Sequence, residues 1–122
     1  MFQSCNGDWV KMTDDEKKWY GITVNNGATL VLSRGILCKY ASFNVDGILQ
    51  INSGGYVQSN LGTAPIYGSA SLLKYNSGGI YNRSFEWSST NGAGYPKDVQ
   101  LSNNTTLNVN NSANTQLQIS GN

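Results

Sequence analysis

The sequence of 122 residues contains no histidine, and few of its residues carry a charge. Without histidine the chain cannot build a Ser-His-Asp or Cys-His catalytic site, and the common zinc and non-haem iron sites lose a usual ligand. Charged residues make up 12%, about half the usual share, and the formal net charge is +1. This balance argues against binding to nucleic acid or to an anionic membrane. Composition therefore disfavours most enzyme classes, and we expect no cofactor and no metal site.

Cysteines and long apolar runs are also scarce. The two cysteines, Cys5 and Cys38, allow one disulfide and have no metal-site spacing. The alternative is two unconnected thiols, with Cys38 as a small core residue. The chain has no run of about 18 apolar residues, so we expect no membrane insertion. Residues 1–10 lack the regions of a secretory signal, so a secreted form would already have lost its signal.

Small polar residues take the place of the missing charges. The chain has 16 asparagines, 14 serines, 14 glycines and 8 threonines. Such a mixture resembles the composition of disordered chains. However, seven tyrosines, three tryptophans and three phenylalanines, together with regularly placed aliphatic residues, supply enough apolar area for a core. We therefore expect a folded β protein.

Residues 8–20 form the only charge-dense stretch of the sequence. Thr13 and Glu16 have the spacing of a capping box, and the two aspartates between them suit a helix N-terminus. The spacing predicts a short helix over about 13–19, within an N-terminal cap formed by residues 1–21. A cation site built from the three consecutive acids is the alternative interpretation.

Beyond the cap, apolar and polar residues alternate, which is typical of β-strands. Apolar residues recur at offsets 0, 2, 8 and 10 in Ile22–Leu32 and again in Val99–Val109. Two corners share the sequence Asn-Ser-Gly-Gly, at Asn52–Gly55 and Asn76–Gly79, and they lie 24 residues apart. Self-similarity at a period of about 20–25 residues is the signature of a repeat protein.

The repeat predicts an all-β fold, a parallel right-handed β-helix or solenoid over residues 22–122 with the short helix as its N-terminal cap. Inward residues of each coil would stack on those of the next coil. Glycine and asparagine suit the corners because they tolerate positive φ. Right-handedness is expected from the usual preference of parallel crossovers. An antiparallel β-sandwich or jelly roll, with Asn-Gly hairpin turns, is the alternative.

Residues 82–98 break the repeat and form an insertion. Long insertions on a repeat scaffold commonly carry function. Exposed aromatic rings stack on sugar rings, and polar side chains beside them bind the sugar hydroxyl groups. The candidate ligand-binding residues are therefore Tyr81, Asn82, Arg83, Glu86, Trp87 and Tyr95. Packing of the loop against the solenoid is the alternative role of these aromatics.

Two acids flank the insertion, and they are the strongest catalytic candidates in the chain. Glu86 and Asp98 would form a glycosidase-like pair if the folded loop brought them together. The simpler interpretation is that Glu86 pairs with Arg83 or Lys97, or accepts backbone hydrogen bonds of the loop. We therefore expect no catalytic residues and no enzyme. A lyase-like or hydrolase-like β-helix acting on polysaccharides is least favoured, because the chain has few acids and bases.

Four stretches of this sequence also carry a resemblance to a known group of proteins. They are APIYGSASLLKYNSGGIYNRSFEW, GYPKDVQLSNNTTLNV, ITVNNGATLVLS and GILQINSGGYV. Together, over residues 22–119, they resemble the β-solenoid segments of large secreted proteins of Bacteroidetes. The resemblance implies export by the type IX system and a place in a secreted or cell-surface protein. There the chain would act as a structural spacer or adhesin-type module, with carbohydrate binding by the insertion as the alternative.

The strand pattern begins again at Leu117 and Ile119, close to the last residue. The C-terminal sorting domain that such secreted proteins usually carry is missing. We therefore expect this chain to be a fragment of a longer protein, with further coils after Asn122. The expected partners are neighbouring coils of the same protein, or a second copy docked through the open C-terminal end. Surface glycans are the alternative partner, and no nucleic acid is expected.

Overall fold

The structure of the protein is a computed structural model, which describes residues 2–3, 9–10, 21–38, 42–58, 62–109 and 121. The described residues form short β-strands and contain no helix. None of them therefore belongs to a helix that would span a membrane. The predicted capping helix over 13–19 and Cys5 lie outside these ranges, and both stay predictions.

Thirteen strands are present in the described residues. In chain order they are β1 (Phe2–Gln3), β2 (Trp9–Val10), β3 (Ile22–Val24), β4 (Thr29–Leu32), β5 (Gly35–Ile36), β6 (Phe43–Val45), β7 (Ile48–Asn52), β8 (Tyr56–Val57), β9 (Ile66–Tyr67), β10 (Leu72–Asn76), β11 (Ile80–Asn82), β12 (Val99–Leu101) and β13 (Thr106–Asn108). β1 and β2 pair antiparallel, and every other described pair is parallel.

The strands from β3 onward form a β-solenoid of about four turns. The first coil comprises β3 to β5, the second β6 to β8, the third β9 to β11, and the fourth β12 and β13. Stacking of the coils gives a first face of β3-β6-β9 and a second face of β4-β7-β10-β12. A third face consists of two pairs, β5-β8 and β11-β13. The parallel solenoid is therefore confirmed, in place of the antiparallel sandwich.

The core is a set of inward-facing columns that run from coil to coil. On the second face one column aligns Leu49 with Leu73, and the next aligns Ile51 with Tyr75. All four side chains are fully buried. The step of 24 residues between these partners is the step predicted from the repeated corners, since Asn52 aligns with Asn76.

Tight corners allow consecutive coils to approach closely. Only Asp46 and Gly47 separate β6 from β7, whereas four residues separate β3 from β4. A Cβ atom on Gly47 would lie 2.2 Å from the Ala28 carbonyl oxygen and 2.3 Å from that of Asn25. Glycine is therefore required at this corner because the backbone of the first coil occupies the space of a side chain.

Candidate functional site

The third face is interrupted between its second and third coils, where β8 and β11 form no ladder. The backbone groups of Val57 in β8 instead form hydrogen bonds with residues of the loop that follows β11. The Val57 N–H lies 3.4 Å from Oε2 of Glu86, and the Val57 carbonyl oxygen accepts from the Phe85 N–H at 3.3 Å and the Ser84 hydroxyl at 2.9 Å. The insertion was predicted over residues 82–98, but Asn82 is the last residue of β11, so the loop spans residues 83–98. The beginning of this loop takes the place of a neighbouring strand.

Glu86 lies at the centre of this arrangement with a relative exposure of 0%. Its Oε1 accepts hydrogen bonds from the Ser84 N–H at 2.8 Å and from the hydroxyl groups of Tyr75 and Tyr81, each at 3.2 Å. Its main-chain oxygen accepts from the Tyr67 hydroxyl at 2.6 Å. In the described part of the chain, no lysine or arginine forms an ion pair with Glu86. Within the described residues, the donors that hold this buried acid are therefore all neutral.

Burial changes the acidity of every group in this cluster. Desolvation raises the pKa of Glu86, although hydrogen bonds from main-chain N–H groups and from Tyr81 act in the opposite direction. Desolvation and the nearby carboxylate raise the pKa of Tyr67, of Tyr75 and of Tyr81 far above the usual tyrosine range. The three tyrosines therefore remain hydroxyl donors at physiological pH.

Two of the tyrosines pack against each other beneath the loop. The ring centroids of Tyr75 and Tyr81 are 5.2 Å apart, with an interplanar angle of 43°. Tyr75 belongs to an inward column of β10, and Tyr81 lies at the central position of β11. Their hydroxyl groups thus converge on one carboxylate from two faces of the solenoid.

Arg83 connects the loop to the last described coil. It is 5% exposed, its Nε donates to the Val109 carbonyl oxygen at 2.7 Å, and its Nη1 donates to the Trp87 carbonyl oxygen at 2.9 Å. Beside it, Asn82 is exposed and its Oδ1 accepts from Nδ2 of Asn108 at 2.9 Å. The arginine is therefore part of the framework that supports the loop.

The far part of the loop folds back on the first face. The Gly94 carbonyl oxygen accepts from the N–H groups of Ser88 at 2.9 Å and Ser89 at 3.1 Å, and the Gly94 N–H donates to the Pro65 carbonyl oxygen at 2.6 Å. Trp87 is half-buried and packs against the core. Since the described residues of the fourth coil form no strand on the first face, the loop lies where that strand would be.

The structure brings several of the predicted ligand-binding residues to one region but buries two of them. Arg83 and Glu86 are buried; Tyr81, Trp87 and Tyr95 are half-buried; Asn82 is exposed. A ligand-binding role for the six stays a prediction. Glu86 accepts a backbone hydrogen bond of the loop, as the simpler interpretation expected. Asp98 is half-buried and lies 3.6 Å from the Lys97 ammonium group.

Tyr67 and Tyr75 also belong to this cluster, although they are not among the predicted ligand-binding residues. Tyr75 occupies a period-two position between Leu73 and the next corner, so its side chain points inward with the aliphatic residues. A buried tyrosine hydroxyl normally finds a hydrogen-bond acceptor. The combination of an inward tyrosine and an acid, Glu86, in the adjoining insertion is the signal that the sequence offers for this cluster.

Cys38 lies elsewhere in the core and is fully buried. Its sulfur lies 3.6 Å from the Ser42 carbonyl oxygen. Since Cys5 is outside the described residues, the disulfide between the two cysteines stays a prediction. Among the described residues, no three Cys, Asp or Glu side chains lie close enough together to hold a metal ion.

Comparison of the chain with protein-family models, with curated proteins and with solved structures finds no match. The similarity to secreted proteins of Bacteroidetes therefore remains an expectation from short stretches of sequence. A proposal for function rests on the geometry of the coils and of the loop.

Proposed function

We propose that this chain is a non-enzymatic structural module, an adhesin-type spacer within a larger secreted or cell-surface protein. Its stacked coils would extend the parent protein and present other segments at a fixed spacing. Stacking of one coil on the next would also be its mode of association, either with further coils of the same protein or with a second copy.

The observation that carries this proposal is the exposure of Leu101 on β12, the outermost described strand of the second face. Leu101 aligns with Tyr75 and so continues an inward column whose buried members include Ile51. Those two residues are 0% exposed, whereas Leu101 is 50% exposed. This surface repeats the one that each coil offers to the next, so another coil fits it.

A second observation supports continuation of the repeat beyond the fourth coil. The Gly121 N–H donates to the Lys97 carbonyl oxygen at 2.6 Å. The separation of these residues, 24 positions, is the same step that relates Leu49 to Leu73. A backbone group of a later residue thus binds the fourth coil at the spacing of a coil.

Two ionisable side chains of the loop form hydrogen bonds inside the protein, which also favours a structural role. Glu86 and Arg83 are buried, and their hydrogen bonds join the loop to β8, β10, β11 and the end of β13. Burying such groups is costly unless their hydrogen bonds are made. Both residues therefore serve to fix the insertion on the solenoid.

Association through Leu101 is tested by light scattering coupled to size exclusion over a range of protein concentrations. We expect the wild type to associate as its concentration rises. Leu101→Lys should weaken association by about 10-fold to 100-fold, because burial of a leucine side chain contributes about 1.5–3 kcal/mol. Val31→Lys is the matched control, since Val31 is 43% exposed on the outward side of β4.

Two results would contradict this mode of association. One is a wild type that stays monomeric at every concentration. The other is equal weakening by Leu101→Lys and Val31→Lys, which would show that added charge, rather than loss of the stacking surface, causes the effect.

A further inference from the structure

The two carboxyl oxygens of Glu86 are bonded unequally. Among the described residues, Oε1 accepts three hydrogen bonds of 2.8–3.2 Å, whereas Oε2 has one donor, the Val57 N–H at 3.4 Å. An ionised carboxylate shares its charge between both oxygens, so Oε2 would carry charge inside the protein with one weak donor. A proton on Oε2 removes that charge and leaves the three bonds to Oε1 in place.

No positive charge compensates this carboxyl group among the described residues. The titratable side chains that face it are three neutral hydroxyl groups, one on each of β9, β10 and β11: Tyr67, Tyr75 and Tyr81. On the β8 side, the described contact of the Glu86 carboxyl group is with the backbone of Val57. Arg83 directs hydrogen bonds to the carbonyl oxygens of Trp87 and Val109. At the far end of the loop, Lys97 and Asp98 are close to each other.

We propose that Glu86 is a pH-sensitive latch for the loop over residues 83–98. With a proton on Oε2, Glu86 ties the loop to β8, β10 and β11 without burying a charge. When that proton is lost, a charge lies among neutral donors and the attachment of the loop weakens. The loop then opens more often, which exposes Trp87 and the edge of β9 beneath it.

The direction of the switch follows from proton linkage. Burial raises the pKa of Glu86 in the closed loop, whereas an open loop returns the pKa of the group to its ordinary value. Closure therefore takes up a proton, and the closed loop is favoured most at low pH. The free-energy difference that favours the closed loop over the open loop declines as the pH rises from the ordinary carboxylate pKa to the raised pKa of Glu86. Each pKa unit between the two states changes the opening equilibrium about tenfold.

The chain offers a direct measurement of this group. It contains only two glutamates, Glu16 and Glu86, so protein made with glutamate labelled at Cδ gives two carboxyl NMR signals. Glu86→Gln assigns one of them. We expect the Glu86 signal of the wild type to titrate with a midpoint above the ordinary value. The accessibility of the Trp87 indole N–H to a soluble paramagnetic probe should rise over the same pH interval.

Two variants separate the latch from a general effect of pH. Glu86→Gln keeps an acceptor oxygen and stays neutral, so Trp87 accessibility should no longer change with pH. Asp98→Asn removes the other acid of the loop and should retain the wild-type profile. A Glu86 signal that titrates at or below the ordinary value overturns the latch, even if Glu86→Gln fails to fold. A pH-dependent Trp87 that persists in Glu86→Gln overturns it as well. Neither result bears on association through Leu101, which lies on another strand.

Discussion

Replacing Glu86 with alanine is expected to lower the free energy of unfolding by about 3–5 kcal/mol. The substitution removes the acceptor of two tyrosine hydroxyls and of the Ser84 N–H, all inside the protein, and leaves a cavity. It also removes the group that faces the open edge of Val57, where β8 has no neighbouring strand. Such a loss is a large share of the stability of a domain this size.

Glu86→Gln is the matched variant for this prediction. Its amide oxygen accepts from the same three donors, so we expect a loss of only about 1–2 kcal/mol, mainly because its NH₂ group opposes the Val57 N–H. Urea unfolding followed by circular dichroism, with both variants and the wild type at the same pH, gives the comparison. A loss of less than about 0.5 kcal/mol for Glu86→Ala would show that the network does not hold the loop.

Truncation of Leu49, in the Leu30–Leu49–Leu73 column of the core, is expected to lower the free energy of unfolding by a similar amount. Leu49 is 0% exposed and stands between Leu30 of the first coil and Leu73 of the third. Leu49→Ala should lower the free energy of unfolding by about 2–5 kcal/mol, because it removes apolar burial and leaves a cavity in contact with both neighbouring coils. Denaturant unfolding monitored by circular dichroism measures this loss.

Val31→Ala is the control for Leu49→Ala. Val31 lies on β4 but points outward and is 43% exposed, so its truncation should change stability by only about 0.5 kcal/mol. Similar losses for the two variants would mean that Leu49 does not belong to a continuous stacked core.

The repeat was readable from the sequence because each coil uses the same local rules. Alternation placed Ile22 and Val24 inward, and both are buried in β3. Glycine and asparagine were expected at corners because they tolerate positive φ. Gly54 and Gly78 adopt φ of 83° and 72° in the two matching corners, and Asn103 adopts 55° in a later one. These features depend on neighbours in sequence, so a single sequence contains them.

The loop network was less predictable because it depends on residues that meet only after the coils stack. Nothing in the residues of β8 shows that its outer edge lacks a partner strand. The sequence places Glu86 beside aromatic residues of the insertion, yet its partners include Tyr75 of β10 and the backbone of Val57, 29 residues away. The burial that makes Glu86 a structural residue follows from this tertiary arrangement.

The measurement that tests the account most directly is the register between adjacent coils in solution. We expect NMR cross-peaks between backbone protons of residues 24 positions apart, such as Leu49 with Leu73 and Ile51 with Tyr75. Their pattern should be that of parallel strands, in which partners advance together along both chains. Antiparallel cross-peaks between Ile48–Asn52 and Leu72–Asn76, in which partners run in opposite order, would contradict the solenoid and the stacking function proposed for it.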